Sequence, residues 1–210
     1  MSLAAKNLTF QYPRRGQQPV LSQVNLTLEP GERVGLTAPS GRGKTTLCKL
    51  LAGYERPLSG EVLLDGRPLS QYRGACPVQM IWQHPETVLD PLLPLEASLN
   101  EAGSVEARLL EELHIQPQWL RRYPQELSGG ELQRFCIARA LGPGTRYLLC
   151  DEITAMLDLI TQAQIWDFLL GEAERRNLGL LVVSHSAPLL DRVCTRVEKL
   201  PLHAENRLPS

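Results

Sequence analysis

The sequence predicts an α/β fold with a mostly parallel sheet, an N-terminal antiparallel β subdomain and a small α-helical subdomain. Short, continuous apolar runs are each followed by a polar turn and a helix-like stretch, which is the order expected of a parallel sheet covered on both faces. The N-terminal part instead carries strand-like segments joined by Pro- and Gly-containing turns, and the middle carries helical pieces interrupted by Pro. These three patterns predict the three parts of the fold.

The individual elements follow from the same patterns. Apolar runs bounded by polar turns predict the parallel strands, and Pro-Gly and Asp-Gly turns separate the antiparallel ones. Parallel strands are expected at 33–37, 147–150 and 179–184, their helices at 45–52, 159–175 and 187–193, and antiparallel strands at 3–10, 20–28 and 61–64.

The helical subdomain is predicted at about 85–140, inserted in a single domain that spans residues 1–210. Its clearest helix is expected at 105–114, because four apolar residues recur there on one helical face. These residues are Val105, Leu109, Leu110 and Leu113.

Charge and cysteine usage exclude several classes of protein. The formal net charge is -1, so the surface is not built to neutralise a nucleic-acid backbone and no nucleic-acid partner is expected. The five cysteines are widely spaced without a CxxC pair, which argues against a zinc site or a disulfide framework and for a reducing cytoplasm. Because no run of about 18 uncharged apolar residues occurs, the chain is expected neither to cross a membrane nor to be exported.

The segment 38–46, with the sequence APSGRGKTT, lies between a predicted strand and a predicted helix, which is the context of a P-loop. Backbone N–H groups of such a loop form a concave anion site, and the helix presents the positive end of its dipole to phosphates. Lys44 is expected between the β- and γ-phosphates, and the Thr45 hydroxyl is expected to bind Mg²⁺. The segment predicts a P-loop NTPase core whose phosphate-binding residues are Pro39, Ser40, Gly41, Arg42, Gly43, Lys44, Thr45 and Thr46.

One position departs from the GxxxxGK[ST] pattern, because Ala38 stands where the first glycine is expected. If this residue needs a positive φ, alanine costs about 1 kcal/mol or more relative to glycine. If φ is negative, the replacement is nearly silent. The sequence leaves both possibilities open.

The predicted strand at 147–150 ends in two carboxylates, Asp151 and Glu152. In open α/β sheets, ligands bind at the carboxyl ends of the strands, so both side chains are expected beside the P-loop. Asp151 is then placed to hold Mg²⁺, directly or through water, and Glu152 to activate the attacking water as a general base. This arrangement is a Walker B motif.

A second phosphate-binding surface is predicted at Ser128, Gly129 and Gly130, where a serine caps a helix and the glycines expose backbone N–H groups. The surrounding sequence reads LSGGELQR and leads into IARAL. This combination resembles the signature of the ABC ATPase family, and the resemblance covers residues 3–200.

The resemblance implies further site residues. Tyr12 matches the aromatic residue that stacks on adenine, and Gln83 matches the Q-loop glutamine that contacts Mg²⁺ and the attacking water. His185 matches the switch histidine that contacts the γ-phosphate, and Asp158 matches the D-loop aspartate at the dimer interface. ATP and Mg²⁺ are therefore the expected cofactors.

Several residues depart from the family pattern in the connection from the Walker B motif to the D-loop and after the switch histidine. They leave open how efficiently this subunit turns over and whether it pairs with itself. Ile153, Ala155 and Met156 replace the usual Pro, Ser and Ala, and Ser186 replaces the common Asp.

The family mechanism implies partners. The signature of one domain cannot reach its own ATP, so two ATPase domains are expected to meet head to tail, as a homodimer or with a different ATPase. ABC permease membrane subunits are the expected direct partners, and an extracytoplasmic solute-binding protein an indirect one. The chain is accordingly expected at the cytoplasmic face of the inner membrane, as a peripheral subunit.

The segment 83–91, QHPETVLDP, resembles a stretch found in the dipeptide, oligopeptide and nickel importer ATPases. The segments 123–127 and 131–134 also resemble that subfamily. Coupling of ATP hydrolysis to uptake of a small solute such as nickel or peptides is therefore expected. The alternative is an accessory ABC ATPase of a non-transport machine such as phosphonate breakdown, which shares the same motifs.

Overall fold

A computed structural model describes residues 1–13, 18–101, 103 and 105–200. The strands are β1 (Leu3–Phe10), β2 (Leu21–Leu28), β3 (Arg33–Thr37), β4 (Ser59–Leu64), β5 (Arg67–Pro68), β6 (Val78–Ile81), β7 (Tyr147–Asp151), β8 (Gly179–Val183) and β9 (Arg196–Lys199). The α-helices are α1 (Lys44–Leu51), α2 (Leu95–Asn100), α3 (Ala107–Glu112), α4 (Gly129–Ala140), α5 (Leu159–Arg176) and α6 (Ala187–Val193). In these residues no helix is long and apolar enough to cross a membrane.

The central sheet is parallel and has the strand order β6-β7-β8-β3-β9. It confirms the predicted α/β class, and β3 has the predicted bounds. Strands β6 and β9 were not predicted, because Gln79 interrupts the apolar run of β6 and β9 alternates between half-buried and exposed residues. In the sheet, β3 lies beside β8, and β8 lies beside β7, so the carboxyl ends of these three strands lie at one edge.

Two apolar cores cover the two faces of the parallel sheet. Along β7, Leu148 and Cys150 belong to one core while Tyr147 and Leu149 belong to the other, because successive side chains of a strand point to opposite faces. The first core contains α4, α5 and α6, and the second contains α1 and the antiparallel strands. This two-sided burial explains why β7 and β8 are continuously apolar in the sequence.

The N-terminal strands form a separate sheet with the order β2-β1-β4-β5. It confirms the predicted antiparallel subdomain, although the two-residue strand β5 was not predicted. Asp65 and Gly66 join β4 to β5 with φ values of 54° and 77°, as in a two-residue hairpin turn. The turn also attaches this sheet to the parallel one, because both terminal nitrogens of Arg146 donate to the Asp65 carboxylate at 2.7 and 3.0 Å.

Between β6 and β7 the described chain contains the helices α2, α3 and α4, and the bounds of the expected insertion stay a prediction. Helix α3 spans 107–112, shorter than the predicted 105–114. It ends where His114 adopts a φ of 55°, a left-handed value that cannot continue an α-helix. The predicted apolar face is present, with Leu109 and Leu113 buried against the core.

A buried carboxylate connects this helical segment to α5. Glu172 on α5 is 2% exposed, and its carboxylate lies 2.8 Å from Arg108 on α3 and 2.7 Å from Arg175 on its own helix. Burial raises the pKa of Glu172, but hydrogen bonds from Arg175 and Arg108 outweigh it, and the pKa is lowered below its ordinary 4.5. The charged carboxylate therefore stabilises the fold.

Replacing Glu172 with Gln removes this charge, and we expect a loss of about 2 kcal/mol in the free energy of unfolding at pH 7. Because the folded-state pKa of Glu172 is lowered, its contribution is present above pH 4.5 and disappears as pH falls through the folded-state pKa. Denaturant titrations of both proteins at several pH values measure the difference. Glu174→Gln, an exposed position on the same helix, is the control, and a loss that is independent of pH would contradict the assignment.

Candidate nucleotide site

The P-loop connects β3 to α1, and two glycines shape it. Gly43 precedes the first residue of α1 with a φ of 88°, and Gly41 has a φ of 75°. A side chain at Gly43 would also meet Leu21 and Val20 at 2.8 and 2.9 Å. Glycine is therefore required at position 43 both by the backbone conformation and by the lack of space. The loop residues Pro39, Ser40, Gly41 and Arg42 are exposed at this edge of the sheet.

Ala38 is not among the residues with positive φ outside glycine in the described chain. The structure thus decides between the two possibilities for this position, and the replacement of glycine is nearly silent. Its carbonyl oxygen accepts a hydrogen bond of 2.9 Å from the Lys44 ammonium.

Three predicted site residues from three different elements converge beside the P-loop. The Lys44 ammonium lies 3.1 Å from Nε2 of His185 and 3.9 Å from the Glu152 carboxylate. The same His185 nitrogen lies 3.0 Å from Glu152. Lys44 comes from the start of α1, Glu152 follows β7 and His185 follows β8, so the parallel sheet brings together residues that are far apart in sequence.

Asp151 and Thr45 form a second pair at the same edge. Asp151 is 3% exposed and lies beside the Thr45 side chain. Burial is the largest influence on Asp151 and raises its pKa, the neighbouring Glu152 raises it further, and Thr45 and Lys44 oppose both. Bringing a cation to this carboxylate would compensate the cost of its buried charge.

Tyr12 lies close to the beginning of α1. Its hydroxyl is 3.2 Å from the hydroxyl of Thr46, and its ring packs edge-on against Phe10 with the centroids 4.9 Å apart. The half-buried ring is thus fixed beside the P-loop helix. This position agrees with the expected contact to adenine, which stays a prediction.

The signature residues begin α4, with Ser128 as the N-cap. The Glu131 carboxylate accepts hydrogen bonds from the Ser128 N–H at 2.7 Å and from its hydroxyl at 2.8 Å. The sequence interpretation named Ser128 as the cap but missed the role of Glu131. The Ser-x-x-Glu spacing of a capping box was the available signal.

The remaining predicted residues lie around a different cavity, of about 800 Å³. Gln83, Asp158 and the signature residues 128–130 line it, together with Ile153 and Met156. None of the P-loop residues 38–46, all of which the structure describes, lines this cavity. Within one chain the signature and the P-loop therefore do not share this cavity, and Gln83 lines it together with the signature.

Two of the departures from the family pattern have a structural explanation. Ser186 caps α6 by accepting a hydrogen bond of 3.3 Å from the N–H of Leu189, a role that Ser and Asp share. Ile153 is 3% exposed and packs in the apolar core. Ala155 and Met156 are exposed, and neither caps a helix nor packs in the core, so their replacement has no structural explanation.

Comparison with known proteins agrees with this geometry. A family model for ABC transporters matches residues 21–155. The nickel import ATP-binding protein NikE of Rhodospirillum rubrum is 38% identical, over 88% of this chain and 73% of that protein. The nickel import system ATP-binding protein NikE of Staphylococcus aureus is 35% identical, over 91% of this chain and 83% of that protein.

Solved structures show the same fold. A dimeric ATP-binding cassette in a post-hydrolysis state, bound to ADP and Pi, superposes with a TM-score of 0.82 at 25% identity, over 94% of both chains. An ATP-binding subunit of an ABC transporter superposes with a TM-score of 0.83 at 25% identity, over 95% of this chain and 86% of that one. With the P-loop, the paired carboxylates and the capped signature helix, these likenesses show that the chain belongs to the ABC transporter family and is an ATP-binding ATPase domain.

Proposed function

We propose that the chain is the ATP-hydrolysing subunit of an ABC importer that takes up a small solute such as nickel or peptides. The observation that carries this proposal is the convergence of Lys44, Glu152 and His185 on one surface while the signature lines another. Such a division requires a second ATPase domain for a complete site. The similarity to two nickel import ATP-binding proteins supports import of nickel in particular.

The three converging side chains have distinct roles in the proposed mechanism. The γ-phosphate of ATP would draw the Lys44 ammonium away from the Ala38 carbonyl, which it contacts at 2.9 Å. Glu152 would then accept a proton from the attacking water, and His185 would contact the γ-phosphate. These groups lie within 4 Å of one another beside the P-loop, so all three are close to the phosphates that the loop would hold.

The residues also fit Mg²⁺, which is held in proteins by one or two carboxylates together with substrate phosphates. Asp151 is a buried carboxylate with a raised pKa, and the Thr45 side chain lies beside it. A divalent cation held by these residues would neutralise negative charge on the phosphates. Thr45 and Asp151 are the proposed ligands, whereas Gln83, predicted as a further ligand, lines the signature cavity in this structure.

Glu152→Gln tests the catalytic assignment. We expect ATP affinity within about threefold of wild type and a fall in kcat of about 10³-fold, because the amide cannot accept the proton of the water. Mg²⁺-dependent ATP binding and phosphate release measure the two quantities. In cells lacking the gene, the wild-type chain should restore uptake of radioactive nickel and the variant should not.

Normal turnover by Glu152→Gln would remove this residue from its role. Normal nickel uptake in cells without the gene would contradict the nickel assignment while leaving the ATPase activity intact. In that case uptake of labelled peptides and growth on phosphonates distinguish the remaining importer and accessory roles.

The exposed surface beside the signature indicates how the second ATPase domain is held. Met156, Leu159 and Ile160 are 74%, 82% and 73% exposed, and they flank Asp158 at the start of α5. Adjacent apolar side chains of this size favour burial in a protein interface. Each could bury most of its surface against the partner domain.

We expect this domain to be a different ATPase, in line with the departures at Ala155 and Met156. Turnover per chain should rise at least about tenfold when the cognate second ATPase is added, because only the mixed pair completes a site. Steady-state phosphate release at equal total protein measures the change. Full activity of the chain alone, with a dimer observed by light scattering in the presence of ATP, would instead establish a homodimer.

A groove of about 570 Å³ between the helical segment and the core is the proposed site for the permease. Tyr54 and Trp82 line it, with their rings 5.4 Å apart, and Tyr54 is 58% exposed. Arg139, paired with Glu101 at 3.0 Å, lies on the helical side. Exposed aromatic residues and arginine are enriched at protein interfaces, so a short cytoplasmic helix of a membrane subunit fits this groove.

Tyr54→Ala should weaken association with the cognate permease subunits about tenfold or more, because an aromatic anchor is lost from the groove. ATP affinity should be unchanged. Pull-down of detergent-solubilised permease at graded concentrations measures the effect. Leu58→Ala, an apolar position that is 70% exposed and does not line the groove, is the control, and equal binding by the two variants would contradict the assignment.

A further inference from the structure

We propose that Trp166 is a positioning residue for ATP hydrolysis, which holds the turn that carries Glu152 through a buried hydrogen bond to Thr154. The indole Nε1–H of Trp166 on α5 donates to Oγ1 of Thr154 at 3.1 Å, across 12 positions in sequence. Thr154 lies in the turn that begins at Glu152. The inference rests on the proposed role of Glu152 as the general base.

Glu152 needs such support because its backbone is strained. Its φ is 51°, in the left-handed region, and it is one of six residues other than glycine with positive φ in the described chain. A residue with a Cβ pays about 1 kcal/mol or more for this conformation, which persists only where the surroundings enforce it. A relaxed backbone at this position would redirect the carboxylate away from Lys44 and His185.

The surroundings that hold Glu152 can be followed along the turn. Its N–H donates to the carbonyl of Val183 on β8 at 3.1 Å, which fixes the start of the turn to the sheet. Its carbonyl accepts from the N–H of Ala155 at 3.1 Å, and the Thr154 carbonyl accepts from the N–H of Leu157 at 3.2 Å. Two overlapping backbone turns therefore pass through Thr154, so its position determines the geometry on both sides.

The bond between Thr154 and Trp166 is well suited to hold this position. Thr154 is 3% exposed and Trp166 is 4% exposed, so water does not compete for either group. A hydrogen bond in such a place is directional, and leaving one of its groups without a partner is costly. The same helix also fixes the end of the segment, because the Gln162 side chain donates to the Leu157 carbonyl at 2.9 Å.

The inference also accounts for Ile153, which stands where the family pattern has proline. A proline at position 153 would fix the φ angle directly after Glu152 through its ring. Isoleucine leaves this angle free. In this chain Ile153 is instead buried in the core, and the next residue is held by Trp166. Packing and a side-chain hydrogen bond thus replace the restriction that a proline ring would impose.

The experiment compares Thr154→Val, Thr154→Ser and Trp166→Phe in the pairing that gives wild-type turnover. Valine keeps the shape of threonine without the acceptor, serine keeps the acceptor, and phenylalanine removes the donor. We expect kcat to fall about tenfold for Thr154→Val and Trp166→Phe with KM for ATP within about twofold. Thr154→Ser should keep at least about half of the wild-type kcat.

Two further measurements separate positioning from general destabilisation. The double variant Thr154→Val with Trp166→Phe should be no slower than either single variant, because both remove one interaction. In the Glu152→Gln background, Trp166→Phe should leave the residual turnover unchanged, because Trp166 acts through Glu152. Phe168→Leu, a half-buried core change on the same helix, is the control for altered packing and should keep wild-type kcat.

If the wild-type protein is active and Trp166→Phe has the same kcat, the positioning role of Trp166 is wrong, while the proposed function is unaffected. A fall in the Glu152→Gln background equal to that in wild type would do the same, since the effect would then be structural. Absence of hydrolysis by the wild-type protein in every pairing would instead contradict the proposed function. If Trp166→Phe does not fold, the comparison of Thr154→Val with Thr154→Ser decides the question.

Discussion

The parallel pairing of β7, β8 and β3 is the constraint on which the rest of the structure depends. Pairing in register places the ends of these strands at one edge, and the residues that follow them are Glu152, His185 and the P-loop. Lys44 and His185 are 141 positions apart in sequence and yet lie 3.1 Å apart. A slip of one residue in any of these strands would turn its side chains to the other face of the sheet and separate the group.

This register is held by burial on both faces. The two cores use alternate residues of the same strands, so neither can be repacked without moving the strands that carry the site. The antiparallel sheet is attached to the parallel one through Arg146 and Asp65, and the helical segment is attached through Arg108 and Glu172. Both ion pairs lie where one of these segments meets the next. A shift of either segment relative to the parallel sheet would break its ion pair.

Much of the fold could be predicted from the sequence, because β1 and β3 and helix α6 are marked by local patterns that tertiary structure did not override. Strands β6 and β9 could not, since Gln79 interrupts the apolar run of β6 and β9 has no buried residue. The site was predicted best where backbone geometry demands particular residues, as at Gly43 with its positive φ and lack of space. Contacts between elements, such as Glu172 with Arg108 and Trp166 with Thr154, leave no pattern in the neighbouring sequence. They could therefore be identified only from the structure.

The departures from the family pattern show how one constraint can be met by different chemistry. Ser186 caps α6 in place of an aspartate, and Ala38 avoids the positive φ that would have required glycine. Position 153 has isoleucine instead of proline, so no proline ring restricts the backbone after Glu152. The strained Glu152 instead bonds to Val183 through its N–H, and the turn that follows it bonds to α5 through Thr154 and Trp166. Helix α5 begins directly after its exposed N-cap Asp158, and its Trp166 bonds to Thr154 in the turn that follows Glu152. A partner domain that orders the start of α5 would therefore act on the same helix that is proposed to position Glu152.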